Sequence, residues 1–521
     1  MTDATAETAA AATGPVLAAD GRPLKASLNR ALRAQKIRAL MLIAPLLLFI
    51  LITFIFPIGD MLFRSVENQI VSDTLPRTVV ALRDWEDSDE PPSEDVYAAL
   101  YVDILVAAEF RLHTRVGSRL NYEMTGMSSL FRRSGRGVGR FDTDIYTDQF
   151  VALDAAWESP VTFSTLLEDA DIRASLPETA SAFDSWVEVI VEVEEEDPAV
   201  EQPWDFVYAM LYRDLAAGAD VGGNALLEAA AAAVGAFETI SIRDQFAEIS
   251  EDWLDPEVFE TIKLYSGNYT AGYFLTAADL QLTPDGIQVQ DEDFRIYVTL
   301  FKRTIIMSLI IMGSCVLLGY PVAFLLANLP MRTSNILMIL VLLPFWTSLL
   351  VRTSAWKVLL QQQGVINDIL VWVGIVADDS RLALINNQTG TIIAMTHILL
   401  PFMILPLYSV MQTIPPYYVR AAKSLGATDW TAFWRVYFPQ SVPGIGAGCI
   451  LVFILSIGYY ITPELVGGRS GTFISNRIAY NISSSLNWGL AAALGTILLV
   501  LVLALYWAYD RIVGIDNVKL G

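Results

Sequence analysis

Residues 417–439 read YYVRAAKSLGATDWTAFWRVYFP and lie between two long apolar runs of the sequence. Their pattern is that of a short helix, a glycine turn and a second short helix. Ala421, Ala422 and Leu425 fall on one face of the first helix, and Gly426 stands where that helix has to end. A short helical pair with a small-residue face is suited to docking into a groove of a partner protein.

The second short helix carries its own signals for a start and an end. Thr428 or Asp429 can cap its first turn, because both side chains accept hydrogen bonds from backbone N–H groups. Phe433 is expected to face the body of the protein, and Pro439 begins the segment that follows. We therefore predict a helix-turn-helix loop over residues 415–439.

Apolar runs dominate much of the remaining sequence. The chain is 54% hydrophobic and 17% charged, whereas a soluble protein would carry about 25% charged residues. A run of about 20 apolar residues is long enough to cross roughly 30 Å of hydrocarbon. The sequence therefore predicts an all-α membrane protein with about six transmembrane helices. The candidate spans are residues 39–58, 299–327, 335–357, 389–412, 442–462 and 489–509.

A long acidic segment separates the first two spans. Residues 67–296 hold 46 acidic and 14 basic residues, whereas the rest of the chain has a net charge of +9. Such an acidic surface repels phosphates, so no nucleic-acid partner is expected. We interpret this segment as a large, mostly helical extracytoplasmic insert between helices 1 and 2.

Basic residues decide the predicted orientation. The segments assigned to the cytoplasm are rich in Lys and Arg, in agreement with the positive-inside rule. A signal peptide is the competing interpretation of the first apolar run, but no small-residue cleavage site follows it. The chain is thus divided into a disordered cytoplasmic tail (1–36), a first transmembrane helix (37–66), the periplasmic insert (67–296), a five-helix membrane core (297–513) and a cytoplasmic C-terminus (514–521).

The insert shows an apparent tandem duplication over about 75–175 and 176–272. The order of the matching residues is kept, and the offset between the copies changes only as one insertion and one deletion require. Chance similarity in a region rich in alanine and acids is the alternative explanation. Matching pairs include Thr78 and Thr179, Tyr97 and Tyr208, Asp103 and Asp214, Phe150 and Phe246, and Trp157 and Trp253.

The sequence offers few residues that could bind a metal or take part in catalysis. Cys315 and Cys449 lie inside apolar runs and are expected to be small buried residues, and no Cys/His spacing predicts a metal site. The sequence has no Gly-x-x-x-x-Gly-Lys-Ser/Thr motif, so that ATP would have to be hydrolysed by another subunit. We therefore predict no catalytic residue and no bound cofactor in this chain.

Three residues near the ends of predicted spans are candidates for a solute pathway. Glu464 follows Pro463, where a carboxylate could attract a cationic solute or cap a re-entrant turn. Trp346 and Trp356 could line a cation path through cation–π contacts, although tryptophans at helix ends more often anchor the membrane interface. His397, within a span, is expected to be a structural histidine.

The loop quoted first resembles the EAA loop of ABC importer permeases, whose pattern is roughly Glu-Ala-Ala, three residues, Gly and a hydrophobic stretch ending in Leu-Pro. Arg420 stands where Glu is usual, and Phe438 stands where Leu is usual. An ordinary interhelical loop is the alternative. The matching positions are Ala421, Ala422, Gly426, Ala427, Phe433 and Pro439.

Other stretches of residues 37–66 and 297–513 resemble the spermidine/putrescine-type branch of these permeases. Related permeases carry other small solutes, so the resemblance is more specific for the class than for the cargo. Examples are Pro344-Phe345-Trp346, Leu400-Pro401-Phe402-Met403-Ile404-Leu405-Pro406 and Ile461-Thr462-Pro463-Glu464-Leu465.

The resemblance implies an importer of several subunits in the bacterial inner membrane. This chain would pair with a second, homologous permease above an ABC ATPase dimer that uses ATP and Mg. A periplasmic solute-binding protein would deliver the cargo. A membrane receptor and a stand-alone secondary transporter are the other classes considered. A receptor would need a cytoplasmic output domain and a secondary transporter would need ionisable residues deep in its spans, and neither is evident.

Overall fold

The computed structural model describes residues 24–86, 89–284 and 286–513. The first 23 residues of the predicted tail and the predicted C-terminus, residues 514–521, therefore lie outside the described residues. The chain forms two compact units, with the division between Phe63 and Arg64.

The first unit is a long apolar helix with a change of register. Helix α1 (Leu24–Ile50) leads through a π-helical turn, Leu51–Ile55, into helix α2 (Phe56–Arg64). The second residue of α2 is a proline, which cannot donate a backbone hydrogen bond, and the wider turn directly precedes it. Residues Gln35–Arg64 are long and apolar enough to cross a membrane. Residues 24–36 differ from the predicted disordered tail, since their Leu, Ala, Arg and Lys side chains favour the helix.

The predicted insert is mostly helical, as its sequence suggested. It ends in a small antiparallel hairpin in which Leu280 lies opposite Val289. Its elements are α3 (Ile70–Thr74), α4 (Pro76–Ala81), α5 (Glu94–Glu109), α6 (His113–Leu120), α7 (Met127–Gly137), α8 (Asp144–Leu153), α9 (Val161–Leu167), α10 (Ala170–Ser175), α11 (Pro177–Val189), α12 (Asp205–Ala216), α13 (Ala225–Ala233), α14 (Ile242–Ile249), α15 (Pro256–Leu264), α16 (Gly272–Ala277), β1 (Leu280–Thr283) and β2 (Gly286–Val289).

The two sequence-related halves of the insert share one core, to which each half contributes contacts with the other. Trp157 and Trp253 are completely buried. The Tyr97 hydroxyl, in the first half, donates a hydrogen bond to the Trp253 carbonyl at 2.7 Å. The Tyr208 hydroxyl, in the second half, donates to the Trp157 carbonyl at 2.7 Å. Each half therefore completes the core of the other.

A second contact also occurs at matching positions of the two halves of the insert, and in each half it is made by a buried carboxylate. Asp103 accepts hydrogen bonds from the Thr78 backbone N–H and hydroxyl, both at 2.8 Å. Asp214 accepts the same two bonds from Thr179, at 2.8 and 2.6 Å. Burial raises the pKa of Asp103 to about 6, against the opposing effect of Arg77, and burial also raises the pKa of Asp214. The duplication stays a prediction, and these matching contacts support it.

The membrane part is a bundle of long apolar helices. With the helix of the first unit, five helices of the described residues are long and apolar enough to span a membrane, and one bent pair would make six. The helices of this part are α17 (Tyr297–Asn328), α18 (Met331–Leu342), α19 (Leu349–Leu359), α20 (Val365–Trp372), α21 (Gln388–Thr413), α22 (Pro416–Ser424), α23 (Asp429–Ala432), α24 (Phe438–Gly458), α25 (Ile461–Val466), α26 (Gly468–Gly471), α27 (Ile474–Ser483) and α28 (Trp488–Val513).

One predicted span is wrong as a continuous helix. Within residues 335–357, helix α18 with its 3₁₀ extension Leu343–Trp346 is bent by 95° from helix α19. Pro344 cannot donate to the helical ladder, and the chain leaves the helix at Thr347 before α19 begins. The pair is therefore a broken span or a re-entrant segment.

Small residues bring the central helices α17, α21 and α24 close together. A Cβ atom on Gly448 would lie 2.5 Å from the Met403 sulfur, and one on Gly319 would lie 3.1 Å from the same side chain. Such small residues permit close packing in membranes. Cys315 is completely buried in this bundle, and Cys449 is half-buried; both are free thiols.

The first residues of the insert pair with a segment near its end. The Asn68 N–H donates to the Asn268 carbonyl at 2.9 Å, and the Thr270 N–H donates to the Val66 carbonyl at 2.8 Å. The Asn68 side chain also donates to the Tyr265 carbonyl at 2.6 Å. These bonds tie the incoming and outgoing segments into one root.

The base of the insert packs against the start of α28. Gly489 lies so near Tyr273 of α16 that a Cβ atom there would be 2.4 Å from the tyrosine ring. The Arg119 guanidinium lies over the same ring, 4.5 Å from its centroid. The Tyr122 hydroxyl donates to the Ser485 carbonyl at 3.1 Å. The insert is thus attached to the last helix as well as to its own root.

Candidate coupling loop and membrane pathway

The first short helix of the loop ends in a glycine turn. Helix α22 begins with Pro416 at its first position, where the missing N–H costs nothing. At its end, the Ala427 N–H donates to the Ala422 carbonyl at 3.1 Å, and the Gly426 N–H donates to the Lys423 carbonyl at 3.0 Å. Gly426 has a φ of +89°, a left-handed conformation that favours glycine. The turn therefore fixes the angle between α22 and α23.

Thr428, and not Asp429, caps the second short helix. The Thr428 hydroxyl accepts a hydrogen bond from the Thr431 N–H at 3.3 Å. Asp429 instead forms an ion pair with Lys423 of α22, which ties the two short helices together across the turn. A π-helical turn, Phe433–Tyr437, then leads into α24.

Aromatic side chains hold the end of the loop against the membrane helices. The Phe433 ring lies 6.2 Å from the Tyr320 ring and 5.7 Å from the Phe324 ring of α17, measured between centroids. Tyr437 is buried against Phe324 at 5.1 Å, and Ala432 is completely buried. Because α24 continues directly from this turn, the loop is joined to two of the three central helices.

The opposite face of the loop is exposed and apolar. Leu425 is 89% exposed, Trp430 is 71% exposed and Tyr417 is 60% exposed. Ala421 is exposed beside them, and Arg420 is exposed with no ion pair among the described residues. Large apolar side chains exposed within one short loop are typical of a site of contact with another protein or with lipid.

The remaining loop positions divide between these two faces. Ala422 and Ala427 are half-buried at the turn, whereas Gly426 itself is exposed. Pro439 is exposed in the first turn of α24, where proline is tolerated. The positions singled out in the sequence therefore belong to one small loop structure, which Phe433 holds against α17.

Two of the three pathway candidates lie on neighbouring elements. The Trp356 indole N–H donates to His397 Nδ1 at 3.1 Å, which joins α19 to α21. One turn earlier on α19, the hydroxyls of Thr353 and Thr462 lie 3.1 Å apart and join α19 to α25. Glu464 of α25 accepts a hydrogen bond from the Asn476 side chain. Trp356 and Glu464 thus flank one polar contact inside the bundle.

Trp346 is placed differently. It ends the 3₁₀ turn before the bend and is 70% exposed. Among the described residues, no hydrogen bond or ring contact joins it to Trp356 or Glu464. Whether Trp346 lines a pathway or anchors the membrane interface stays a prediction.

One charged residue of this region was not among the pathway candidates, because the sequence placed it at an outer helix end where it could snorkel. Arg352 of α19 is half-buried, and its Nε is buried without a hydrogen-bond partner among the described residues. An arginine inside a predicted span, one turn before Trp356, was the available signal, because such residues usually face a bundle interior or a cavity. His397 is a partner of Trp356 and so takes part in the same region.

The comparisons with known proteins show the family of this chain. Residues 316–513 match the family model described as binding-protein-dependent transport system inner membrane component. The spermidine/putrescine transport system permease protein PotB of Escherichia coli K12 is 34% identical over 222 residues, which cover 42% of this chain and 80% of PotB. The inner membrane ABC transporter permease protein YdcU of the same organism is 30% identical over 261 residues, 48% of this chain and 82% of YdcU.

A solved structure is also similar to part of the chain. The bacterial alginate ABC transporter in complex with an alginate pentasaccharide-bound periplasmic protein aligns with a TM-score of 0.35 and 18% identity, covering 43% of this chain and 82% of that chain. The apolar helices and the sequence relatives together make this a multi-pass inner-membrane protein. The chain belongs to the binding-protein-dependent transport system inner membrane components, as a permease subunit of the spermidine/putrescine type of ABC importer.

Proposed function

We propose that this permease couples a separate P-loop ATPase to the inward transport of polyamines, and that residues 415–439 are the ATPase docking site. The observation that carries the proposal is the exposed apolar face of Leu425 and Trp430 on a loop that Phe433 braces from behind. An apolar face of a short helical pair fits a hydrophobic groove on a partner.

The bracing explains how docking could act on the transport pathway. A movement imposed on α22 and α23 passes to α17 through Phe433 and to α24 through the continuous backbone. Both helices pack against α21, which carries His397 and its contact with Trp356. Closely packed helices move as bodies, so that a push on the loop reaches α21 and its contact with α19.

The cargo is inferred from the relatives and from charge. PotB belongs to a spermidine/putrescine transport system, and polyamines are cations. The acidic insert, if it faces the periplasm, raises the local concentration of cations near the entrance. Trp356 offers a ring face and Glu464 a carboxylate to a cationic solute on its way through the bundle.

The other subunits follow from the same proposal. The chain pairs with a second, homologous permease, two ATPase subunits bind ATP and Mg below the pair, and a periplasmic binding protein delivers the cargo. Both termini then lie in the cytoplasm with the loop, and the insert lies on the outer side. This orientation puts the exposed Arg332, Arg420 and Arg435 on the cytoplasmic side.

The docking proposal is tested by changing Leu425 to Asp. A charge placed in the centre of an apolar contact should abolish co-purification of the ATPase with the tagged chain in detergent. Leu382→Asp makes the same change in an exposed leucine of the 373–387 loop, and it should leave the ATPase bound. Retention of the ATPase by Leu425→Asp at the level of wild type would contradict the docking site.

The cargo is tested by uptake into cells that lack their own polyamine importers. Cells with this chain and its partner subunits should accumulate labelled spermidine or putrescine, and unlabelled polyamines should compete. Uptake of neither polyamine, together with uptake of another solute, would remove the polyamine assignment and leave the permease class unchanged.

A further inference from the structure

The loop of residues 415–439 carries positive charge that its own residues leave uncompensated. It holds three basic residues, Arg420, Lys423 and Arg435, and one acidic residue, Asp429. Asp429 forms an ion pair with Lys423. Within the described part of the chain no ion pair reaches Arg420 or Arg435, and both are exposed.

Arg420 stands within the docking face of the loop. The helical repeat places Tyr417, Arg420 and Ala421 within roughly a third of the circumference of α22. The Ser424 hydroxyl donates to the Arg420 backbone carbonyl, and no hydrogen bond or ion pair within the described residues engages the Arg420 guanidinium. Arg435, by contrast, belongs to the π-helical turn that Phe433 anchors to α17.

A guanidinium in such a place has to be paired when a partner covers the face. A charge removed from water without a counter-charge opposes binding strongly, whereas a bidentate arginine–carboxylate contact is among the better polar contacts in an interface. Asp429 is already used by Lys423, so the compensating group has to come from the partner.

We propose that the ATPase docked on this loop presents an Asp or Glu carboxylate to Arg420. The inference rests on the proposed function and adds that the groove of the ATPase that receives α22 carries a negative charge at this point. An ATPase with Lys or Arg at this point is repelled, and the contact therefore selects the ATPase that can serve this permease. Electrostatic contacts of this kind set the choice of partner more than the total affinity.

A basic residue on a cytoplasmic loop also serves membrane orientation, and the experiment has to separate the two roles. Arg332 at the start of α18 is an exposed arginine outside the loop. Its reversal changes the cytoplasmic charge by the same amount as the reversal of Arg420, so Arg332→Glu is the matched control for effects of orientation and net charge.

The experiment measures binding of the purified ATPase of the same importer to the full chain in lipid nanodiscs, at low and at high salt. Arg420→Glu should weaken binding about tenfold at low salt, and the loss should become smaller as salt screens the repulsion. Arg420→Gln should weaken binding less and should reduce its salt dependence. Arg332→Glu should bind as wild type does.

A charge exchange identifies the partner residue. Asp and Glu residues around the groove of the ATPase are replaced one at a time by Lys, and one replacement should restore binding to Arg420→Glu while weakening binding to wild type. Wild-type affinity and salt dependence in Arg420→Glu would overturn the inference while the docking proposal stands. A wild-type chain that binds no ATPase would overturn the docking proposal itself, and the inference with it.

Discussion

With a φ of +89°, Gly426 holds a backbone conformation in which a Cβ atom is strained, although no neighbouring atom would touch that Cβ. Gly426→Ala should therefore cost about 1–2 kcal/mol in the turn. The strain favours loop conformations in which α22 and α23 no longer present one face, so that ATPase binding should fall several-fold. The measurement is ATPase affinity at equal amounts of folded chain.

Gly313→Ala is the matched control for this substitution. Gly313 lies in α17, an added Cβ would meet no atom within 4 Å, and its φ lies outside the left-handed region. Alanine there should leave ATPase binding unchanged. Equal losses in both variants would mean that Gly426 matters through general helix stability and not through the shape of the turn.

Asp103 makes the stability of the insert depend on pH. Its pKa is raised to about 6 by burial, above the ordinary value of 3.8, so the folded insert holds a proton more tightly than the unfolded chain does. The contribution of this group to the free energy of unfolding is therefore present at low pH and is lost as the pH rises from about 4 to 6. Its size is roughly 3 kcal/mol.

The check compares wild type with Asp103→Asn in urea at pH 4.5 and pH 7. Fluorescence of the buried Trp157, Trp186 and Trp253 reports unfolding of the insert. The difference in stability between the two pH values should be smaller in Asp103→Asn, because the group that titrates is gone. An unchanged difference would mean that Asp103 keeps its ordinary pKa in the folded protein.

At the scale of the elements, helix α5 of the first half of the insert bonds to the second half, and helix α12 of the second half bonds to the first half. This exchange predicts that equivalent substitutions in the two helices have similar effects. Tyr97→Phe and Tyr208→Phe each leave one tryptophan carbonyl buried without its partner, which should cost about 1–3 kcal/mol. Both tyrosines make the same bond to a tryptophan carbonyl, so the two losses should be similar, and Tyr208→Phe should lose slightly more because its hydroxyl also accepts a hydrogen bond from the Gln202 side chain at 3.4 Å. Urea unfolding followed by tryptophan fluorescence measures them.

Tyr480→Phe removes a hydroxyl from an exposed tyrosine and should change the unfolding midpoint little. A loss from Tyr97→Phe alone, with none from Tyr208→Phe, would show that the halves are not equivalent in energy. That outcome would weaken the argument for duplication from their matching contacts.

The sequence predicted most elements of the membrane part because length and apolarity alone identify a span. The bend between α18 and α19 escaped prediction, since an average over hydrophobic residues is insensitive to a single turn such as Leu343–Trp346. Pro344 was the local signal, yet Pro321, Pro401 and Pro443 lie inside continuous helices of the same bundle. Proline therefore does not by itself decide where a membrane helix breaks.

The candidate site, too, could be predicted only in part. The loop is local, so Gly426 and the cap could be placed from neighbouring residues. The contact between Trp356 and His397 joins residues 41 positions apart, and the contact between Thr353 and Thr462 joins residues 109 apart. Helical spacing within one segment carries no information on such pairs. Their assembly depends on how the helices pack.

At the scale of the whole molecule, the insert and the membrane part meet where Gly489 packs against Tyr273. Gly489→Ala places a Cβ atom against a ring that Arg119 covers from another side, so the ring cannot move freely. Overpacking of this kind should cost about 1–3 kcal/mol. We expect the root of the insert to become sensitive to limited proteolysis while the membrane part stays folded.

Gly235→Ala tests whether alanine as such is harmful in this protein. Gly235 lies in the insert, and an added Cβ would meet no atom within 4 Å. It should leave the proteolysis pattern unchanged. Cleavage of Gly489→Ala at the same rate as wild type would mean that the contact with Tyr273 yields without loosening the insert.

Backbone hydrogen bonds join Val66 to Thr270 and Asn68 to Asn268. They bear on how a chain can acquire such an insert. A detour of roughly 200 residues starts and finishes at the same spot, and a domain whose ends lie close together can be added to a loop or removed from it with little disturbance to its host. A turn of a few residues could replace the whole excursion. Replacing residues 67–269 by such a turn should therefore leave the chain at Val66 and at Thr270 in the same place.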